Sequence, residues 1–268
     1  MWTAPARFAA EVWRRNPLLA ALGWTHALLF VSTLILLCVD EREVLGTNAW
    51  VKPAKFMASL ALYLWTVAWF SEYVRTPAWR VRAVSVVIAI AIAFETACIL
   101  MQAGRGTMSH FNTSTDFDAF VFYLMGVMIG IDMLMMVIVL GMFRRPSVEM
   151  APSYLWGIRL GIVVFLVGGW IGGRMIGIGA HTVGAADGGP GLPFLNWSTV
   201  AGGLRIAHGL GLHALQALPL LGYLIGRWDR LGHTGAKVAL TGAAAAIYAV
   251  VVIALFRQAL AGQPLIAG

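Results

Sequence analysis

The chain has 268 residues, of which 60% are hydrophobic and 12% are charged. Soluble domains carry about 25% charged residues, so this composition excludes an ordinary water-soluble protein. The mean hydropathy of +0.80 predicts a protein whose solvent is lipid. The formal net charge is +7, but the basic residues are spread between apolar segments and are not gathered on one face. We therefore expect no nucleic-acid partner.

Residues 1–17 predict a basic amphipathic helix on the inner membrane surface. Arg14 and Arg15 lie close in sequence to the aromatic residues Phe8 and Trp13, which is typical of helices in the plane of the interface. The apolar run that follows, 18–39, is too long for the core of a signal peptide, and no small-residue cleavage site follows it. We expect this run to be the first membrane span.

Seven apolar segments are long enough to cross the bilayer, because a helix needs about 20 residues to cross roughly 30 Å of hydrocarbon. The sequence therefore predicts an all-α polytopic bundle, with one transmembrane domain over 18–260 and a short tail over 261–268. At the end of the fifth span and just beyond it, Gly169, Gly173 and Gly177 predict a close helix contact. The predicted spans are 18–39, 55–74, 82–103, 119–143, 155–175, 204–226 and 237–260.

The distribution of charge predicts the orientation of these spans. With a cytoplasmic N-terminus, most of the 19 basic residues fall on the inner side, in short loops that include Arg75, Arg80, Arg144 and Arg145. The C-terminus is then periplasmic. The short loops suit a bacterial inner membrane, and the expected partner is the lipid bilayer. The outer segments are longer and more polar, and binding groups favour such loops on a rigid scaffold.

Two outer segments in the first half of the chain carry candidate binding residues. Lys52 and Lys55 share one helical face where the second span begins. Cations oppose the helix dipole at that end, so the pair predicts a small anionic or lipid-like ligand. The alternative is that both side chains reach lipid phosphates. The segment after the third span contributes the candidates Gln102, Arg105, His110 and Asn112.

The sixth span carries a polar stripe within an otherwise apolar helix. At 100° per residue, its members fall in one arc of about 140°. Such a stripe must face the bundle interior or a watered cavity. The alternative is that these side chains only bond neighbouring helices. The stripe consists of Arg205, His208, His213 and Gln216, and the long segment before the span adds His181, Asp187 and Trp197.

Further ionisable residues lie deeper in the predicted spans. The helical rise places Glu95 and His213 at a similar distance from the outer surface, where we expect them to pair. Asp132 and His26 lie deeper, at roughly equal depth. Together these residues predict a ladder of polar groups that descends from the outer face.

These patterns leave several functions open. Imidazoles on membrane helices ligate b-type haem, so the first interpretation is a redox protein that binds haem b or a metal ion. Its candidate ligands are His26, His110, His181, His208 and His213. The ladder instead indicates a transporter, or a proton or ion pathway, for a small anionic solute. A third interpretation is a membrane-embedded enzyme that acts on a lipid-linked substrate. We prefer the redox protein over the transporter or ion pathway.

Overall fold

A computed structural model describes residues 4–144, 146 and 150–267. Residues 1–3 of the predicted surface helix, and Arg145 of the basic inner loop, lie outside the described residues. Apart from its connecting loops, the described chain is helical, with two pairs of two-residue strands and one 3₁₀ turn at Asp229–Leu231. The paired strands are β1 (Glu43–Val44) with β2 (Thr47–Asn48), and β3 (Thr182–Val183) with β4 (Gly202–Gly203). The helices are α1 (Ala4–Arg15), α2 (Pro17–Val39), α3 (Val51–Phe70), α4 (Ala78–Gly104), α5 (Asp116–Met142), α6 (Pro152–Ile178), α7 (Leu204–Gly226) and α8 (Thr234–Leu260).

Within the described part of the chain, six helices are long and apolar enough to cross a membrane: α2, α4, α5, α6, α7 and α8. The chain therefore has the architecture of a multi-pass helical membrane protein in contact with lipid. The helix α3 covers most of the remaining predicted span. It is 20 residues long and contains Lys52 and Lys55 in its first turns.

The chain divides into two compact units, Met1–Val148 and Glu149–Gly268. In the first unit, α1 folds against the end of α3. The ring of Phe8 stacks on Trp69 with centroids 6.0 Å apart, and the Arg15 guanidinium lies 3.8 Å from the Trp69 ring centroid. Hydrogen bonds from Arg14 and Arg15 lower the pKa of Glu11 to about 2. These contacts fix the amphipathic helix that the sequence predicts.

The opposite end of the first unit is closed by a short hairpin, β1 (Glu43–Val44) with β2 (Thr47–Asn48). Asp40, which follows α2, accepts hydrogen bonds from Arg42 and from the indole of Trp50. These two donors hold the pKa of Asp40 well below its ordinary value. Arg42 also donates to the carbonyl oxygen of Gly104, at 2.7 Å, so the hairpin ties the end of α2 to the end of α4.

In the second unit, α6 and α7 approach each other backbone to backbone. A Cβ added at Gly168 would lie 2.6 Å from the amide nitrogen of Leu212 and 2.9 Å from Cα of Gly211. A Cβ added at Gly157 would lie 2.6 Å from the carbonyl oxygen of Leu218. Only glycine fits at these positions, and the close contact compensates for the weak hydrophobic drive between helices in lipid.

The predicted close contact is wrong for two of the three glycines of the predicted row, Gly173 and Gly177. Among the described residues, no atom lies within 4 Å of a Cβ added at Gly173 or Gly177. The contact face of α6 instead follows Gly157, Gly161 and Gly168. Their spacings of four and seven residues put them on one side of the helix, and that side determines how α6 and α7 are rotated about their axes.

Candidate functional site

The side chain of Glu95 is the most unusual polar group in the first unit. It lies in α4 about 13 Å from the end of that helix at Gly104, and it is only 1% exposed. Neither carboxylate oxygen has a hydrogen-bond partner among the residues that the structure describes. A carboxylate in such surroundings is costly unless it is paired or protonated.

His110 is the ionisable side chain that lies against this carboxylate. Its Nε2 atom is 3.5 Å from Oε1 of Glu95, which is an ion-pair distance but too long for a good hydrogen bond. The imidazole packs between aromatic rings, with its centroid 5.9 Å from that of Phe56 and 6.4 Å from that of Phe122. Its side chain keeps 21% exposure. The imidazole therefore lies between the buried acid and the protein surface.

The loop between α4 and α5 is folded around Asn112. The Asn112 amide nitrogen donates to Oγ1 of Thr107, at 2.9 Å, and to the carbonyl oxygen of Met108, at 3.0 Å. Its amide oxygen accepts from the hydroxyl and the backbone N–H of Ser114. The residue before it, Phe111, has a left-handed φ of 57°, which is uncommon for a bulky residue. These features turn the loop back so that His110 lies over Glu95.

Two other predicted residues, Gln102 and Arg105, join in a hydrogen-bond network at the start of α5. The buried carboxylate of Asp118 accepts from Nε2 of Gln102 at 2.8 Å and from Nη1 of Arg105 at 2.5 Å. It also accepts from the hydroxyl of Thr115, which caps α5. The anion beside Arg105 is thus a carboxylate of the chain itself, and the network holds the ends of α4 and α5 together.

Lys52 and Lys55 lie in the first turns of α3, as predicted. The ammonium of Lys52 is 5.7 Å from the ring centroid of Phe56, the same ring that packs on His110. Lys52 also interacts electrostatically with Glu95. A binding role of the two lysines toward an external anion stays a prediction.

Two further polar pairs are buried in the first unit. The Tyr63 hydroxyl donates to Oδ1 of Asp132 at 2.8 Å, and the two residues are 6% and 2% exposed. The Nδ1 atom of His26 lies 2.7 Å from the carbonyl oxygen of Leu22, and its Nε2 lies 2.7 Å from Oγ1 of Thr96. The carbonyl only accepts, so in the neutral ring Nδ1 carries the proton and Nε2 accepts from the threonine.

Sequence reasoning missed Tyr63 and Thr96. Tyr63 had a usable signal, because it lies eleven residues after Lys52, which at 100° per residue is a rotation of only about 20° from the same face. Thr96 had no such signal. It follows Glu95 directly in sequence, so its side chain leaves the helix in a direction about 100° away from that of Glu95.

In the second unit, the structure separates the members of the predicted stripe. His208 contacts the carbonyl oxygen of Gly168 through Nδ1 at 2.8 Å and lies against Gly172. Arg205 donates to the carbonyl oxygen of Asn196, and Gln216 is half-buried. His213 is exposed. That the stripe faces the bundle interior or a watered cavity stays a prediction.

The segment between α6 and α7 contains the remaining predicted residues. The carboxylate of Asp187 accepts from the backbone N–H of His181 and lies 2.8 Å from Nδ1 of its ring. Burial raises the pKa of Asp187, but these hydrogen bonds outweigh it and the pKa is lowered below its ordinary value. Trp197 is half-buried, and its carbonyl oxygen accepts from the amide of Leu192.

The described residues give no support to a metal or haem centre among these donors. Across residues 4–144, 146 and 150–267, no three His, Cys, Asp or Glu side chains cluster in a way that could hold a metal ion. Both ring nitrogens of His26 already have protein partners, whereas a haem ligand needs one nitrogen free for the iron. His181 is bonded to Asp187, and His213 is exposed. The site roles of the second-unit residues stay predictions.

Comparison with protein-family models, with curated proteins and with solved structures finds no match to the chain.

Proposed function

We propose that the protein is a proton-coupled transporter or proton pathway of a bacterial inner membrane, in which Glu95 binds and releases the transported proton. The observation that carries this proposal is the buried Glu95 carboxylate, whose two oxygens have no hydrogen-bond partner among the described residues. Acids inside membrane helices are expensive, and they are found where ions or protons move. A small anionic solute is the expected co-substrate.

The packing around Glu95 favours a proton over a larger ion as the group bound there. Cys98, which interacts with Glu95, belongs to a buried apolar cluster of α4 and α5 in which Ile99 and Met125 are each 1% exposed. A hydrated or polyatomic ion needs a cavity and several oxygen ligands. A proton needs only one oxygen lone pair, and its binding neutralises the carboxylate, which removes the cost of burying the charge.

We also propose seven spans, with α3 as the second. Its 20 residues extend about 30 Å, which matches the hydrocarbon thickness. Its two lysines lie in the first turns, where they reach the membrane surface. The end of the first unit that carries α1 and the basic α3–α4 loop is then cytoplasmic. Exposed Trp13 and Trp79 suit the inner interface.

This topology places the α4–α5 loop, which contains His110, on the periplasmic side. Glu95 then lies closer to the periplasmic surface, and the Tyr63–Asp132 pair lies deeper in the membrane. A proton that enters from the periplasm meets His110 first, Glu95 second and Asp132 third. Glu95 and Asp132 are close enough to interact electrostatically.

The experiment compares Glu95→Gln with Asp116→Asn in protein reconstituted into nanodiscs. Asp116 is an exposed acid at the start of α5, so its variant controls for the loss of one carboxylate. Infrared difference spectra between acidic and alkaline buffer report the C=O stretch of a protonated buried acid. We expect Glu95→Gln to lose the Glu95 component of this band and to keep the component of the second buried acid, Asp132, whereas the wild type and Asp116→Asn should show both components. An unchanged band in Glu95→Gln would overturn the proposal.

Transport itself is tested in proteoliposomes that contain a pH-sensitive dye. An imposed membrane potential and pH gradient, with and without a mixture of small organic anions, should drive proton flux in the wild type. Glu95→Gln should reduce this flux to the level of empty liposomes, and Asp116→Asn should retain it. Equal flux in wild-type and empty liposomes would remove the transport function, even if the infrared band is present.

A further inference from the structure

We propose that His110 is the residue through which Glu95 exchanges its proton with water on the α4–α5 loop side of the protein. This inference rests on the proposed function, because it assumes that Glu95 takes up and releases a proton. It adds the route that the proton takes to Glu95 and identifies His110 as the proton donor.

The first support is the position of His110 between water and the acid. The His110 side chain is 21% exposed, whereas that of Glu95 is 1% exposed. The Nε2 atom of His110 lies 3.5 Å from Oε1 of Glu95, so the two groups form an ion pair when the imidazole is protonated. The rings of Phe56, Phe111 and Phe122 pack around the imidazole, so apolar groups surround the polar contact.

The second support is the hydrogen-bond chemistry of the imidazole. In the transfer step, the N–H bond at Nε2 of the imidazolium breaks and an O–H bond forms on the Glu95 carboxylate. The charged pair becomes a neutral pair, so the net charge of the site is unchanged. The Ser109 hydroxyl lies 3.2 Å from Nδ1. A hydroxyl both donates and accepts, so Nδ1 keeps a partner whether or not it carries a proton.

The third support is the balance of charges around Glu95 from the helices packed against it. Lys52 on α3 contributes a positive charge that attracts the carboxylate, and Asp132 on α5 contributes a negative charge that repels it. On α4 itself, the thiol of Cys98 interacts with Glu95. These two charges act in opposite directions, so neither of them alone determines the state of Glu95.

The 3.5 Å separation fits a step that is reversible. A short charge-assisted hydrogen bond of about 2.8 Å would hold the ion pair together strongly. At 3.5 Å the pair is close enough for transfer after a small side-chain rotation, yet it forms no bond that must first be broken. Histidine also changes charge near neutral pH, which makes it the usual residue for proton shuttles.

The experiment measures the rate at which Glu95 is protonated, separately from whether it is protonated. Wild type, His110→Ala and His233→Asn are reconstituted into nanodiscs, and the infrared band of the protonated acid is followed after a rapid drop in pH. His233 caps α8 through its ring, and asparagine is also a good N-cap. His233→Asn therefore removes a histidine outside the proposed route.

We expect His110→Ala to reach the same final band as the wild type, but at least about tenfold more slowly, as for loss of a positioned proton donor. Added imidazole should restore the rate in His110→Ala and leave the wild type and His233→Asn unchanged. This rescue separates a proton-transfer role from a structural one. If His110→Ala misfolds, His110→Ser serves as the second variant, with the same slow rate and the same imidazole rescue expected.

The outcomes distinguish the two proposals. A wild-type rate in His110→Ala, with the band intact, overturns the route through His110 and leaves Glu95 as the proton site. A slow rate that imidazole does not restore assigns His110 a structural role and also overturns the route. The absence of the Glu95 band in the wild type overturns the proposed function itself.

Discussion

The side chain of Asn112 should control the stability of the loop that holds His110. It makes two donated and two accepted hydrogen bonds within residues 107–114 and is 1% exposed. Each such bond contributes about 0.5–1.5 kcal/mol net. Because the loop is near water, some of the freed groups are solvated after substitution. We therefore expect Asn112→Ala to destabilise the loop by about 2–3 kcal/mol.

Substitution of a single hydrogen-bond partner of Asn112 should destabilise the loop by less. Thr107→Ala removes one bond, and Ser114→Ala removes one good bond to Asn112. Each should cost about 1 kcal/mol. Thr113→Ala changes an exposed neighbour and should have almost no effect.

Amide hydrogen exchange of residues 105–115, measured by mass spectrometry in nanodiscs, gives the opening free energy of the loop directly. A loss of about 2–3 kcal/mol corresponds to roughly 30- to 160-fold faster exchange. Asn112→Ala should exchange fastest and Thr107→Ala and Ser114→Ala more slowly. Thr113→Ala should exchange at the wild-type rate. If Asn112→Ala exchanges no faster than Thr113→Ala, the hydrogen bonds do not hold the loop, and the placement of His110 needs another explanation.

The second unit offers two further tests. Gly168→Ala should lower unfolding stability in detergent by about 1–3 kcal/mol, because the new Cβ meets the backbone of α7, whereas Gly173→Ala on the same helix should not destabilise the protein. The pKa of Asp187 is lowered in the folded protein. Its bonds to His181 therefore stabilise the segment between α6 and α7 at pH values above the ordinary pKa of aspartate, about 4, and this stabilisation is lost as the pH falls further. Hydrogen exchange of residues 179–203 should therefore speed up on acidification beyond the intrinsic pH dependence, and Asp187→Asn should abolish this excess.

The positions of the helices could be predicted closely from the sequence. The predicted span 204–226 coincides with α7, and the predicted 18–39 differs from α2 by one residue. This agreement follows from the physics of membrane helices, since long apolar runs end where polar residues meet the interface. The division into units could not be read in the same way, because apolar periodicity carries no information about which helices pack together.

The placement of side chains was harder to predict, and Glu95 shows why. The sequence placed Glu95 in a span that the helix α4 contains, but it paired Glu95 with His213, by expected depth alone. The structure instead brings His110 to it, from a loop outside the helices. That contact depends on the left-handed φ of Phe111 and on the bonds of Asn112, which no helical period encodes. The pairing with His213 joins residues of different units and stays a prediction.

The buried acids of the first unit differ in a way that favours a functional role for Glu95. Asp118 is 3% exposed and accepts hydrogen bonds from an arginine, an amide and a hydroxyl, which is how proteins normally satisfy a buried carboxylate. Asp132 is 2% exposed and has the Tyr63 hydroxyl. Glu95 is the most buried of these three and has no hydrogen bond among the described residues.

A purely structural origin does not account for this difference. A glutamine at position 95 would fill the same volume without the cost of a charge, and an apolar residue would suit the cluster of Ile99 and Met125 better. An acid that is kept in these surroundings without donors is stable mainly when it is protonated. In the proposed route, His110 is the neighbour that supplies or accepts this proton.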